Sequence, residues 1–461
     1  MLAQIEAINS AVNGVVWGPI MLVLLVGTGI YLTFRTRGLQ ARRFGFILRN
    51  TIGTLFSKDK KKSGSQHNLT PFQAVSTALA GTVGTGNIAG VTGAIFVGGP
   101  GAVFWMWVSA FFGMITKYAE IVLSVKYRQV DEKGAHYGGP MYYIEKGAGQ
   151  KWLAILFALL GGIACFGIGN IAQSTEIAGA VQSLTGLDSL YTGIILAILT
   201  AIVVIGGVKR IGQVASYLVP FMAMFYIVAG LAIIVLRITD VPAALASIFT
   251  QAFSLEPREI GGGVAGYTIM ISMQQGVARG VFSNEAGLGS APMAHAASDT
   301  QEPVEQGMWG VFEVFVDTIV ICTLTSMAIL LSGVLEYDLS SFASNGAAAA
   351  AAFNAILPGT IGGTVLQISL LFFALSTILG WSYYGERCWG YLSNNNKVVN
   401  VNVIFKIAFV LMCVVGSVGS GTLMWNISDT LNGMMAIPNL VGLLLLSGTV
   451  IRLTREYFDK K

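Results

Sequence analysis

Apolar runs of about 20 residues, each long enough as an α-helix to cross a ~30 Å hydrocarbon layer, recur along the whole chain. They lie near 15–34, 72–97, 102–125, 153–183, 190–206, 212–236, 263–286, 308–333, 363–391, 402–419 and 423–451. Eleven helices of about 22 residues would take roughly 240 of the 461 residues and leave no room for a separate soluble domain. The pattern predicts an all-α integral membrane protein with eleven transmembrane helices. Only 11% of residues are charged, against roughly 25% in a soluble domain, which excludes an ordinary cytosolic enzyme.

The net charge of +4 is too small for a nucleic-acid binder, and the placement of the charges is more informative than their sum. Arg35, Arg37, Arg42, Arg43, Arg49, Lys58, Lys60, Lys61 and Lys62 crowd the first loop, which the positive-inside rule assigns to the cytoplasm. Alternating sides from there puts every one of the 27 cations inside except Arg237 and Arg258. The expectation is an outer N-terminus and a cytoplasmic C-terminus in a multi-pass cell-membrane protein. The apolar run after Glu6 lacks a basic leader and reads as a retained helix. Cys165, Cys322, Cys388 and Cys413 fall inside apolar runs, as small hydrophobes and not as a disulfide or metal framework. The Gly346–Ala352 run reads as a short outer helix of low complexity.

Two of the runs contain interruptions. In the second, Gly81, Gly84 and Gly86 stand beside Thr82, Thr85 and Asn87 at mid-run. Three interior glycines weaken a helix by about 2 to 3 kcal/mol, and the halves on either side, 72–81 and 86–97, are each about half a membrane long. A GxxxG contact explains Gly86 and Gly90 but not the cluster. Unwound backbone at membrane depth is tolerated where it lines a cavity or is buried in protein, and its freed N–H and C=O groups can then meet a ligand. The seventh run predicts a second break after 264–275, at Gly276, Gly280, Gly287 and Gly289. Arg279, Asn284 and Glu285 at its inner end read either as a structural salt bridge or as an intracellular gate.

The second and seventh runs are five apart, so runs two to six and seven to eleven form candidate inverted repeats, each opening with its broken helix. The layout is an N-terminal helix and basic loop (1–71), a first repeat (72–236) and a second repeat (263–452). Helix ends at a break offer N–H groups to a carboxylate and carbonyls to a cation, which is the arrangement of a secondary transporter.

GTVGTGNIAGV, GGPGAVFWMW, HYGGPMYYIEKG, VFSNEAGLGSAPMAHAA and STILGWSYYGE resemble the alanine/glycine:cation symporter family along nearly the whole chain. VGTGN also resembles the first core helix of neurotransmitter:sodium symporters, with which that family shares the leucine-transporter fold of one extra helix plus a 5+5 inverted-repeat core. The resemblance implies that Gly84, Thr85 and Gly86 cradle a substrate carboxylate with Asn87 beside them. It also implies that Ala80 and Val83 offer carbonyls, and Ser376 and Thr377 hydroxyls, to Na⁺ as the coupling ion. Both hydroxyls can alternatively bond back to their own helix.

For the rest of the pocket Gln173 is the candidate, with Asn170 and Glu176 as rivals on nearly the same face. Met273 is placed to cap a substrate methyl group and Gln274 its amine, and Trp381 to restrict the cavity to a small side chain. Ordinary core roles are open for all three. Glu120 is expected to pair with Lys117, while Glu313, Asp317 and Asp429 are intramembrane acids able to carry protons. The function expected is Na⁺-coupled import of small neutral amino acids, alanine and glycine, with proton coupling and a channel as alternatives. The lipid bilayer is the expected environment, with no nucleic acid and no obligatory protein partner. No catalytic constellation is apparent: His67, His136 and His295 fall in or near the expected cytoplasmic loops.

Overall fold

A computed structural model describes residues 2–55, 67–254, 258–260, 263–265, 269–393, 401–419 and 421–460. Lys58, Lys60, Lys61, Lys62, Lys397 and Lys461, and part of the 264–275 stretch, lie outside the described residues. Among the described residues eight helices are long and apolar enough to cross a membrane, and a bent pair makes a ninth. The fifth and seventh predicted runs fall on shorter helices, Ser189–Val204 and Ile269–Asn284. Among the described residues strand is confined to two short hairpins, Gln129–Val130 with His136–Tyr137 and Arg258–Ile260 with Gly263–Ala265.

The helices sort by burial as a membrane bundle requires. Gly207–Leu236 buries Val219, Met222 and Tyr226 and exposes Tyr217, Phe221, Met224 and Val228, an apolar outer face suited to acyl chains. Gly101–Lys126 has its second half buried on all sides, because it packs against both Ile269–Asn284 and Pro303–Val314. The four cysteines are free and buried, as expected. The Gly346–Ala352 run belongs to helix Asn345–Ile356, which starts where the Ser344 side chain accepts from Ala347 N (3.1 Å). Its small residues are mostly buried against neighbouring helices, so its simple composition serves close packing.

The bent pair is Pro71–Thr82 followed by residues 85–98, with a 56° bend between them. Its first half begins with a capping box: Gln73 N donates to Thr70 Oγ1 and Thr70 N to Gln73 Oε1, just ahead of Pro71. Its second half is a 3₁₀ turn, Thr85–Asn87, leading into Ala89–Gly98.

The seventh segment is not broken at Gly276. Ile269–Asn284 runs through Gly276 and Gly280 as one helix, and these glycines serve close packing on Gly101–Lys126. A Cβ at Gly276 would collide with the Ala102 carbonyl, and one at Gly280 would stand 2.6 Å from Ser109 Oγ. The chain turns only after Asn284, at Glu285 (φ +57°), Gly287 (φ +94°) and Gly289 (φ +79°), before the short helix Pro292–Ala296. The residue ahead of the first half-helix meets the end of this turn across a bridge in which Leu69 N donates to Ala297 O and Asp299 N to Leu69 O, both at 2.9 Å.

Candidate binding site at the helix break

The break in the second segment redirects specific backbone groups. In a continuous helix Gly84 N–H would bond to the Ala80 carbonyl; here it donates to Asn87 Oδ1 at 2.8 Å. Asn87 N–H would bond to the Val83 carbonyl and instead donates to Gly84 O at 3.2 Å. The carbonyls of Ala80 and Val83 have thus lost their regular donors in a fully buried setting, where an unpaired polar group is costly. Thr85 adds a buried hydroxyl with no partner.

Three elements close round this turn. The π-helical turn Gly167–Ile171 shifts the register of its long helix and carries Gln173 to the break, where Gln173 Oε1 accepts from Thr85 N (3.3 Å). Of the rivals, Asn170 turns to the Phe409 carbonyl (2.7 Å) and Glu176 accepts from Trp425 Nε1 (3.2 Å). From Ile361–Leu392, Thr377 Oγ1 lies so close that a Cβ on Gly84 would overlap it, and Gly380 lets that helix touch the Gly81 backbone. Ser376 and Thr377 both donate to the Phe373 carbonyl, at 2.8 and 3.0 Å. Each hydrogen is committed to the helix while the oxygen lone pairs stay free for a cation. Trp381 is buried, donates to Gly81 O (3.3 Å) and packs against Gly169. The second π-helical turn, Phe315–Cys322, places Asp317 beside the break, where it accepts from Asn87 (2.6 Å), Ser283 (2.9 Å) and Thr318 (2.7 Å).

Met273 and Gln274 are not brought to the turn. The seventh helix meets Gly86 through Phe282 and Ser283, and nine residues of continuous helix put Met273 about 13 Å along the axis from Phe282. Sequence reasoning missed Phe282 because it put the break too early. Phe282 stacks on Trp425 (5.3 Å between centroids, 28°) with the Arg279 guanidinium over its face. Beyond this stack lies a cavity of about 670 Å³ lined by Gly93, Glu176, Gln275, Arg279, Gln367 and Trp425, among others. It adjoins the far end of Ala89–Gly98, opposite the end where Pro71–Thr82 begins.

The charges are paired differently from expectation. Arg279, on the wall of that cavity, bonds Asp429 (3.0 Å), so its salt bridge is to the last helix and not to Glu285. Lys117 pairs with Glu313 (3.3 Å) and donates to the Asn284 carbonyl (2.7 Å), whereas Glu120 is held by Asn439. His295 is fully buried and bonds Glu313 (3.1 Å) and Gln306 (2.8 Å).

Residues 2–461 match the sodium:alanine symporter family. The sodium/alanine symporter AgcS of Methanococcus maripaludis is 48% identical over 97% of this chain and 96% of its own. The probable sodium/glutamine symporter GlnT of Bacillus subtilis is 36% identical over 99% and 91%. Among solved structures, MhsT in complex with L-phenylalanine superposes on 85% of this chain and 99% of its own with a TM-score of 0.59 at 15% identity, and so shares the fold. The chain belongs to the sodium:alanine symporter family, a group of multi-pass membrane transporters and not of enzymes.

Proposed function

We propose that this chain imports small neutral amino acids, alanine and glycine, by symport with Na⁺. The observation that carries this reading is the turn after Thr82: two carbonyls deprived of their helical donors stand beside an unpartnered Thr85 hydroxyl. Na⁺ is a hard cation that takes oxygen ligands, which here are the Ala80 and Val83 carbonyls with the Ser376 and Thr377 hydroxyls. The substrate carboxylate sits on the backbone of Gly84, Thr85 and Gly86 at the start of the second half-helix, with Asn87 and Gln173 fixing the turn. Trp381 walls the cavity and limits the side chain to a methyl group or less. Phe282 and Trp425 cover the opposite side. The AgcS relationship supports both substrate and ion.

Alternating access then moves one helix set against the other in an eleven-crossing bundle of two inverted repeats, with the N-terminus outside and the C-terminus in the cytoplasm. The test is uptake of radiolabelled alanine into proteoliposomes under an inward Na⁺ gradient, with choline replacing Na⁺ in parallel. Concentrative uptake only with Na⁺ is expected. Equal uptake in choline would overturn the ion, and saturable uptake of other solutes but not alanine would overturn the substrate.

A further inference from the structure

A second group of buried oxygens lies beside the Trp381 indole. The Lys117 ammonium is fully engaged by Glu313, the Asn284 carbonyl and, at 3.5 Å, Thr82 Oγ1. His295 meets Glu313 through Nε2 (3.1 Å) and Gln306 through Nδ1 (2.8 Å), so both of its ring nitrogens are engaged away from Glu120 and Glu285. Yet Glu120 and Glu285, 0% and 1% exposed, also stand within electrostatic reach of Lys117 and of each other. Four carboxylates, those of Glu120, Glu285, Glu313 and Asp317, therefore share one ammonium.

Glu120 and Glu285 each have one oxygen in a regular hydrogen bond and one only weakly held. Glu120 Oε1 accepts from Asn439, which also donates to Gly287 O and accepts from Tyr143, while Glu120 Oε2, with the Gly287 backbone nearby, makes no regular hydrogen bond among the described residues. Glu285 Oε2 accepts from Ser290 (2.6 Å), and its Oε1, with the Trp381 indole beside it, makes no regular hydrogen bond among the described residues. The buried Tyr384 hydroxyl, within electrostatic reach of Glu285 and Glu313, is also unpaired. Arg279, four residues before Ser283 on the same helix, is committed to Asp429. Ionised carboxylates so incompletely compensated are not stable in such a place, and an oxygen-rich set short of donors is what a small hard cation needs.

We propose that Glu120 and Glu285 form a monovalent-cation site, occupied by a proton or by Na⁺, separate from the Ala80, Val83 and Thr377 group. Glu285 borders the Trp381 indole, whose N–H is on the Gly81 carbonyl at the break, so occupancy of this site reaches the substrate pocket through one side chain. Neither carboxylate was among the acids that the sequence marked as proton carriers. Those three are already satisfied, Glu313 by Lys117 and His295, Asp317 by three donors, and Asp429 by Arg279.

The test reads cation-dependent stability of the purified protein without any amino acid, so its outcome does not depend on what is transported. Thermal unfolding of wild type, Glu120→Gln, Glu285→Gln and Thr377→Val is followed across Na⁺ concentration, balanced with choline, and across pH. If the occupant is Na⁺, wild type and Thr377→Val gain melting temperature with Na⁺, and each Gln variant loses at least half of the wild-type gain. If it is a proton, wild type loses stability as pH rises in choline, because the folded form then has to release that proton. The Gln variants lack that loss and melt above wild type at high pH. Gln variants that track wild type in both titrations would overturn the proposal, as would a Na⁺ response abolished by Thr377→Val with no pH response in wild type. Should a Gln variant not fold, radioactive-sodium dialysis and proton-uptake titration of Thr377→Val decide: one remaining cation per chain supports the site, none removes it.

Discussion

The two places where a predicted crossing is interrupted differ in how their loosened backbone is used. After Thr82 the donors withdraw: Gly84 and Asn87 N–H groups bond locally, and the Ala80 and Val83 carbonyls are left for something else. After Asn284 partners arrive instead, since Lys117 takes the Asn284 carbonyl and Asn439 takes that of Gly287. A helix end whose carbonyls are already bonded is an anchor, and one whose carbonyls lack donors is a receptor. Glycine content does not separate the two. Gly84 is small because Thr377 approaches it, Gly276 because Gly101–Lys126 does, and only Gly287 and Gly289 are needed for a left-handed backbone.

The comparison is broken most severely at Lys117. Lys117→Met leaves Glu313 buried without its ammonium, for an expected loss of about 3 to 5 kcal/mol in unfolding experiments, and Glu313→Gln in the same chain should recover most of it. Unchanged stability of Lys117→Met would contradict the anchoring of the Asn284 carbonyl by this ammonium. Next in size is Gly84→Ala, whose methyl group would overlap Thr377 Oγ1. Alanine affinity should fall by about 100-fold, roughly 2.8 kcal/mol, in equilibrium binding to protein that still melts normally.

Smaller effects sharpen the placement. Gly276→Ala sets a methyl group against the Ala102 carbonyl and should cost about 1 to 2 kcal/mol after the gain in helix propensity. Had the chain unwound at Gly276, that methyl group would have found room and stability would not drop. Trp381→Leu should admit valine or threonine as competitors of alanine uptake with roughly tenfold better inhibition than in wild type. Unchanged selectivity would make Trp381 a packing residue only.

Much of this was legible in the residues. The apolar runs and the first break followed from hydrocarbon thickness and glycine cost, and Gln173, Thr377 and Trp381 do converge on that break. What was not legible depends on contacts between distant segments. Spacing put Glu120 one turn from Lys117, but burial hands Lys117 to Glu313, nearly 200 residues away, and Glu120 to Asn439. A glycine kept for a neighbouring helix looks in sequence like a glycine kept for a turn, which is why Met273 and Gln274 were expected at a break that lies beyond Asn284.

A single turn that holds both the ion and the carboxylate couples their affinities by thermodynamic linkage. Alanine affinity is measured by equilibrium binding to the purified protein across Na⁺ concentration, and Na⁺ affinity across alanine concentration. Adjacent sites at 80–86 predict that each ligand tightens the other by the same factor, and that Thr377→Val weakens both. Alanine binding that is indifferent to Na⁺ would contradict a shared site at the break.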